Sequence, residues 1–257
     1  MITSTSNPRV QWVRSLQNKR RARQRESLFI IEGTRLVNEA ISSHSPAKLV
    51  LYTDDFAQYN QHLVEQLIKL GADTEAVSER VMKACSATES PQGVLTVLPF
   101  PSFAPPDSLN LVLIADRISD PGNLGTILRT ALAAGVDAVF LNPGTVDPFN
   151  PKVVRGAMGA HFHLPIIQME ITEIEQFLHG ADIWIAEAGL GIPYHNVNWN
   201  KPSAIVIGSE AHGPSEELRS FATGSTHIPI NDLAESLNAS VAAAIILFEI
   251  ARMRGEE

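Results

Sequence analysis

The chain has 257 residues, 44% of them hydrophobic, a net charge of −8 and one cysteine, Cys85. That length builds one large core or two small ones, and a lone cysteine excludes both an internal disulfide and a cysteine-rich metal site. No run of roughly 18 apolar residues occurs and residues 1–10 lack an apolar leader core, so neither a membrane span nor export is expected and the chain reads as cytoplasmic.

The first 25 residues hold seven basic side chains and no acid, which leaves 13 basic against 28 acidic side chains for the rest. A basic arm on an acidic body suits local contact with a phosphate backbone. Arg9, Arg14, Arg20, Arg21 and Arg23 are the candidate contacts, and a solvated helix face is the alternative. Next, Phe29-Ile30-Ile31 leads through Glu32-Gly33-Thr34 into a helical pattern with Leu36, Val37, Ala40 and Ile41, then a strand-like Lys48–Tyr52. This alternation, repeated by further helices and short strands, predicts a small α/β domain over residues 1–98. Residues 99–107 contain Pro99, Pro101, Pro105 and Pro106, can neither continue a helix nor pair inside a sheet, and read as a linker.

Residues 108–257 form the second expected domain. Apolar runs recur at residues 111–115, 138–141, 183–186, 204–207 and 227–230, and their continuous hydrophobicity predicts a buried, mostly parallel α/β sheet. Leu124, Ile127, Leu128, Ala131 and Leu132 form the stripe of a helix laid on that sheet. Leu237, Val241, Ile245, Phe248 and Ala251 repeat the pattern in a last helix over residues 236–252.

Ligands of open α/β sheets gather beyond the carboxyl ends of the strands, which singles out three loops. In Asp116–Gly125, Pro121-Gly122 makes a turn, Asn123 is a candidate helix cap, and Arg129, about two turns on, offers a fork of donors to phosphate or an oxyanion. An ordinary cap and a surface cation are the alternatives. In Gly208-Ser209-Glu210-Ala211-His212-Gly213 the glycines let backbone approach a flat ligand, with Glu210 as an acceptor beside it. No Gly-x-Gly-x-x-Gly cradle follows any expected strand, which disfavours a nicotinamide or flavin cofactor. In the third loop, proline in Ile228-Pro229-Ile230 stops strand pairing, Ser236 is a candidate cap, and Asn238, a poor helix former, points to a polar task.

Taken in order, Asn123 to Arg129, Gly208-x-Glu210-x-x-Gly213, and Ile228-Pro229 with Ser236-Leu237-Asn238 resemble the three motifs of the SpoU (TrmH-like) RNA 2′-O-ribose methyltransferases, of the SPOUT superfamily. The likeness covers roughly residues 109–254, and Phe29–Leu36 resembles the RNA substrate-binding module often found in front of that domain. The resemblance implies a C-terminal trefoil knot and S-adenosyl-L-methionine as cofactor, surrounded by the backbone of Gly208, Ile228 and Leu237. It also implies a reaction centre of Asn123, Arg129, Glu210, Ser236 and Asn238, and a homodimer. The implied substrate is RNA, with large-subunit rRNA the first expectation and tRNA the second. A non-catalytic RNA-binding protein and a dinucleotide-dependent enzyme are the rival readings.

A ribose hydroxyl is a very weak acid, so some group must take its proton or stabilise the emerging alkoxide. Arg129 is the residue implied. Guanidinium deprotonates so reluctantly that binding the adjacent phosphate and the negative oxygen is the favoured role, with general-base action the minority view. His161-x-His163 has no cysteine or acidic partner at ligand spacing, so no metal is expected. Lys152 and Arg155 are further candidates for RNA contact, a solvated helix end being the alternative.

Overall fold

The computed structural model describes residues 1–103, 109–209 and 213–255. The chain forms two compact units, Met1–Ser102 with Asp147–His163, and Phe103–Val146 with Leu164–Glu257.

The first unit begins α1 (Pro8–Asn18), α2 (Arg20–Glu26), β1 (Leu28–Glu32), α3 (Thr34–Ser42), β2 (Leu49–Tyr52), α4 (Asp54–Lys69), β3 (Asp73–Ala76), α5 (Glu79–Cys85) and β4 (Val94–Pro99). Asn7, Thr53 and Ser78 start α1, α4 and α5 by accepting from the backbone N–H groups of Arg9, Phe56 and Val81. The sheet order is β1-β4-β2-β3, with β4 antiparallel to β1 and β2, and β2 parallel to β3. Alternate residues serve opposite faces. Phe29, Ile31, Val50 and Leu98 pack with Leu36, Val37, Leu63 and Leu67 of α3 and α4. Leu28, Ile30, Leu51 and Leu95 pack with Val13, Leu16, Val81 and Met82 of α1 and α5. Both faces are covered, which is why these strands read as unbroken apolar runs. Glu32 accepts from Gln17 Nε2, from Ser86 Oγ at 2.6 Å and from the Ala87 amide at 2.9 Å, so it fixes the chain around the end of β1.

From the linker onward the elements are β5 (Leu111–Ala115), α6 (Pro121–Ala133), β6 (Ala138–Leu141), α7 (Pro151–Ala157), a 3-10 turn at Ala160–Phe162, β7 (Ile166–Gln168), α8 (Ile171–Phe177), β8 (Asp182–Ala186), β9 (Ile192–Pro193), a second 3-10 turn at Tyr194–Asn196, β10 (Ser203–Ile207), α9 (Glu216–Phe221), β11 (Gly224–His227) and α10 (Ala239–Gly255). The second unit is a seven-stranded sheet of order β7-β6-β5-β10-β8-β11-β9, in which every paired strand is parallel. From β5 the chain steps outward to β6 and β7, then returns to the other side and places β10 between β5 and β8. That reversal opens a crevice at the carboxyl ends of the central strands.

Residues 147–163, which the sequence pattern groups with 108–257, belong to the first unit. Val154 and Phe162 join the cluster around Phe29, and Phe149 stacks on Phe100 at 3.8 Å between ring centroids. His161 lies in the 3-10 turn, where Nε2 meets the Pro148 carbonyl at 2.8 Å and burial pushes the ring's pKa down to about 4.

Three further expectations need correction. The strand expected at 227–230 is the largely polar Gly224–His227, which pairs with β8 and β9 through its backbone and so carries little apolar signal. The last helix turns the other way: Ala239, Ala243, Ile246, Leu247 and Ile250 are buried, whereas Val241 and Phe248 are 46% and 52% exposed. A helix apolar nearly all round carries too little asymmetry for periodicity to choose its buried face. Arg23 is not a surface cation. It is 3% exposed, donates to Asp147 Oδ2 through Nε and Nη2 at 2.9 and 2.6 Å, and gives Nη1 to the carbonyls of Leu16 and Gln17. Four of its five N–H groups are thus engaged, and burial withholds the guanidinium from solvent.

Candidate active site

A cavity of about 470 Å³ lies in the second unit beyond the carboxyl ends of β8, β10 and β11. Its wall contains Gly208, Ile228 and Leu237, expected to surround the cofactor, and Ser236 and Asn238, expected at the reaction centre. The segments that follow β8, β10 and β11 meet there. Glu210 lies outside the described residues.

The turn after β10 is close because Gly208 has no side chain: a Cβ would stand 2.4 Å from the Pro214 nitrogen and 2.6 Å from the Gly213 carbonyl carbon. Gly213 adopts φ +64° and returns its N–H to the Ser209 carbonyl at 2.8 Å. The turn is anchored by Asp116, a residue sequence reasoning left without a role. Asp116 is fully buried at the end of β5, and its carboxylate accepts from the Ser215 amide at 2.6 Å and from Asn142 Nδ2. Arg117 Nη2 reaches the Gly213 carbonyl at 3.4 Å. An acid directly after an all-apolar strand is the sequence signal for such an anchor.

The first and third loops are joined by a hydrogen bond from Asn238 Nδ2 to Asn123 Oδ1 at 3.0 Å. The expected caps shift by a few residues. Asn238, not Ser236, caps α10, its Oδ1 accepting from the Ser240 amide at 2.9 Å and the Ser240 hydroxyl at 2.7 Å. Asp120, not Asn123, caps α6 by accepting from the Asn123 amide at 2.8 Å. Asn123 therefore sits inside the first turn with its side chain turned to Asn238. Ser236 is exposed in the segment before α10. Arg129 is exposed on α6, about 9 Å along the helix axis from Asn123, and is not part of the cavity wall.

Among the expected RNA contacts, Arg20 and Arg21 are exposed at the start of α2 and Arg14 is half-buried on α1. Arg9 pairs with Asp73 at 2.7 Å and Glu75 at 3.0 Å. Among the described residues, no group of three or more His, Cys, Asp and Glu is arranged to hold a metal ion, and no helix is long and apolar enough to cross a membrane.

The family model for the SpoU rRNA Methylase family matches residues 110–248, and that for the MRM3-like substrate binding domain matches residues 7–96. The 23S rRNA (guanosine(2553)-2′-O)-methyltransferase RlmP of Bacillus subtilis (strain 168) is 33% identical over 251 residues, covering 97% of this chain and 98% of its own. A crystal structure of AdoMet-bound rRNA methyltransferase from Sinorhizobium meliloti superposes with a TM-score of 0.88 at 29% identity, covering 98% of this chain and 97% of its own. The SpoU methyltransferase AviRb from Streptomyces viridochromogenes, in complex with AdoMet, gives 0.88 at 25% identity, covering 96% of this chain and 98% of its own. With over half its length matched by one family model and a relative aligned along nearly all of both chains, the chain belongs to the SpoU rRNA methylase family.

Proposed function

We propose that this protein transfers a methyl group from S-adenosyl-L-methionine to a ribose 2′-hydroxyl of ribosomal RNA in the cytoplasm. One observation carries the reading: a single cavity at the sheet's crevice gathers Gly208, Ile228 and Leu237 beside Ser236 and Asn238, with Asn123 hydrogen-bonded to the last of these. The cavity fits a nucleoside-sized group, its volume of about 470 Å³ lying within the roughly 300–1,000 Å³ of small-molecule sites. Ile228 and Leu237 supply an apolar wall, and the Gly208 turn lets backbone approach a flat ring. When bound, the cofactor supplies a methyl carbon activated by a cationic sulfur.

The protein's own residues hold the RNA oxygen. Asn123, Ser236 and Asn238 orient the ribose, and Arg129, pointing to solvent, takes the adjacent phosphate and stabilises negative charge on the attacking oxygen. Glu210 is assigned to the same centre by its place in the second motif. In this reading residues 1–98 bind the RNA, residues 108–257 form the knotted catalytic domain, and two copies pair. Exposed Leu132, Val241 and Phe248 on α6 and α10 support the pairing.

Mapping 2′-O-methyl groups in cells with and without the protein tests the function: a ribosomal site lost with the gene supports it. A site lost only from tRNA changes the substrate, and unaltered maps of both RNAs overturn the proposal. Arg20 and Arg21 carry the arm's role, so replacing both with Glu should weaken rRNA binding and make its salt dependence shallower by about 1.5 to 2 in log–log slope. Filter binding across a potassium chloride series reads this, and an unchanged slope would return the two arginines to a merely solvated face.

A further inference from the structure

Glu187, the residue that follows β8, has no role in the reading above, yet it is the only carboxylate in the cavity wall among the described residues. Its amide donates to the Thr226 carbonyl at 3.0 Å, which fixes its backbone against β11. Its side chain is 10% exposed and pairs with Arg219 of α9 through two bonds, Nη1 to Oε2 at 2.7 Å and Nη2 to Oε1 at 2.5 Å. Ser225 Oγ donates to Oε2 at 3.0 Å. These contacts pin the carboxylate between α9 and β11.

A carboxylate offers about four acceptor positions, and the three donors among the described residues leave one open, on Oε1. That oxygen faces the glycine turn: a Cβ at Gly213 would stand 3.9 Å from Glu187 Oε1 and 3.6 Å from Arg219 Nη2, and among the described residues beyond its chain neighbours nothing else comes within 4 Å of that point. The charge of the pair selects the ligand group. Arg219 already neutralises Glu187, so a cation entering here would meet a guanidinium and gain little. An uncharged O–H donor meets no such repulsion and gains a charge-assisted hydrogen bond.

We infer that Glu187 receives a ribose hydroxyl of the cofactor's adenosyl group, and that Arg219 and Ser225 hold its carboxylate in place for that contact. This rests on the cofactor reading proposed above. It makes Glu187 a determinant of cofactor recognition.

Calorimetry with S-adenosylhomocysteine and its 2′-deoxy and 3′-deoxy forms tests the inference without turnover. The parent protein should bind one deoxy form about tenfold more weakly than S-adenosylhomocysteine. Glu187→Gln, which keeps the shape and one carbonyl acceptor but removes the charge, should lose affinity for the complete ligand and distinguish the deoxy form less well. Arg219→Gln, which loosens the carboxylate but keeps the acceptor, should weaken the discrimination less than either Glu187 variant does. Glu187→Ala provides the same readout should the glutamine variant fold poorly. Equal binding of all three ligands by the parent, undiminished discrimination in both Glu187 variants, or equal loss of discrimination in Arg219→Gln overturns the assignment while leaving the cofactor reading intact. Absence of any heat with S-adenosylhomocysteine in the parent instead overturns the cofactor reading, and this inference with it.

Discussion

Arg129→Ala should lower methyl transfer to rRNA by about 10²- to 10³-fold, the size of effect seen when a donor to a developing oxyanion is removed. Affinity for S-adenosyl-L-methionine should stay within about twofold, because Arg129 is not part of the cavity wall. Arg129→Lys keeps the charge but loses the planar fork, and should recover only part of the rate. Single-turnover kinetics with saturating cofactor, together with calorimetric binding, separate the two effects. Parental turnover in the alanine variant would remove Arg129 from the reaction centre. Loss of cofactor binding in the same measure would instead make its role one of building the cavity.

The second large effect falls on stability. Arg23→Ala leaves the Asp147 carboxylate, 6% exposed in the pair, without its cation, and leaves the Leu16 and Gln17 carbonyls without the guanidinium that serves them. Breaking a buried pair by deleting one partner costs about 3–5 kcal/mol, whereas replacing both partners by apolar groups is often near neutral. Urea unfolding should therefore show a marked fall in the midpoint for Arg23→Ala and a partial recovery in Arg23→Met with Asp147→Leu, which removes the unpaired charge but leaves the two carbonyls and the Phe149 amide unserved. A single variant within about 1 kcal/mol of the parent would show that the pair is dispensable.

Much of the second unit was legible because its central strands are buried on both faces. Leu111–Ala115, Ala138–Leu141 and Ser203–Ile207 stand out as short apolar runs, and Leu124, Ile127, Leu128 and Ala131 of α6 are buried as their spacing predicts. Gly224–His227 was not legible, since a strand held by backbone pairing with polar side chains has no hydrophobic signature. Arg23 illustrates a different limit. Its place in a run of basic residues marks it as a surface cation, and only Asp147, 124 positions later, makes its burial tolerable. Periodicity is local and such a partnership is not.

At the site, the order of the three motifs identified the loops that meet, but not how their side chains divide the work. Asn123 and Asn238 were both marked as polar, while their mutual hydrogen bond depends on caps displaced to Asp120 and to Asn238 itself. Asp116 and Glu187 went unassigned because each acts through elements far away in the chain: Asp116 through Ser215, and Glu187 through Arg219 and Ser225.

The insertion of β10 between β5 and β8 has a consequence for synthesis on the ribosome. Leu111 must wait for Ser203, about ninety residues later, before its strand gains that neighbour, and such distant pairings close slowly. Until then the apolar edge of β5 stays open to wrong partners, a hazard for a nascent chain. The cavity has Ser236–Ala239 in its wall beside Ala186 and Gly208, so it stays unwalled on that side until this late segment has emerged.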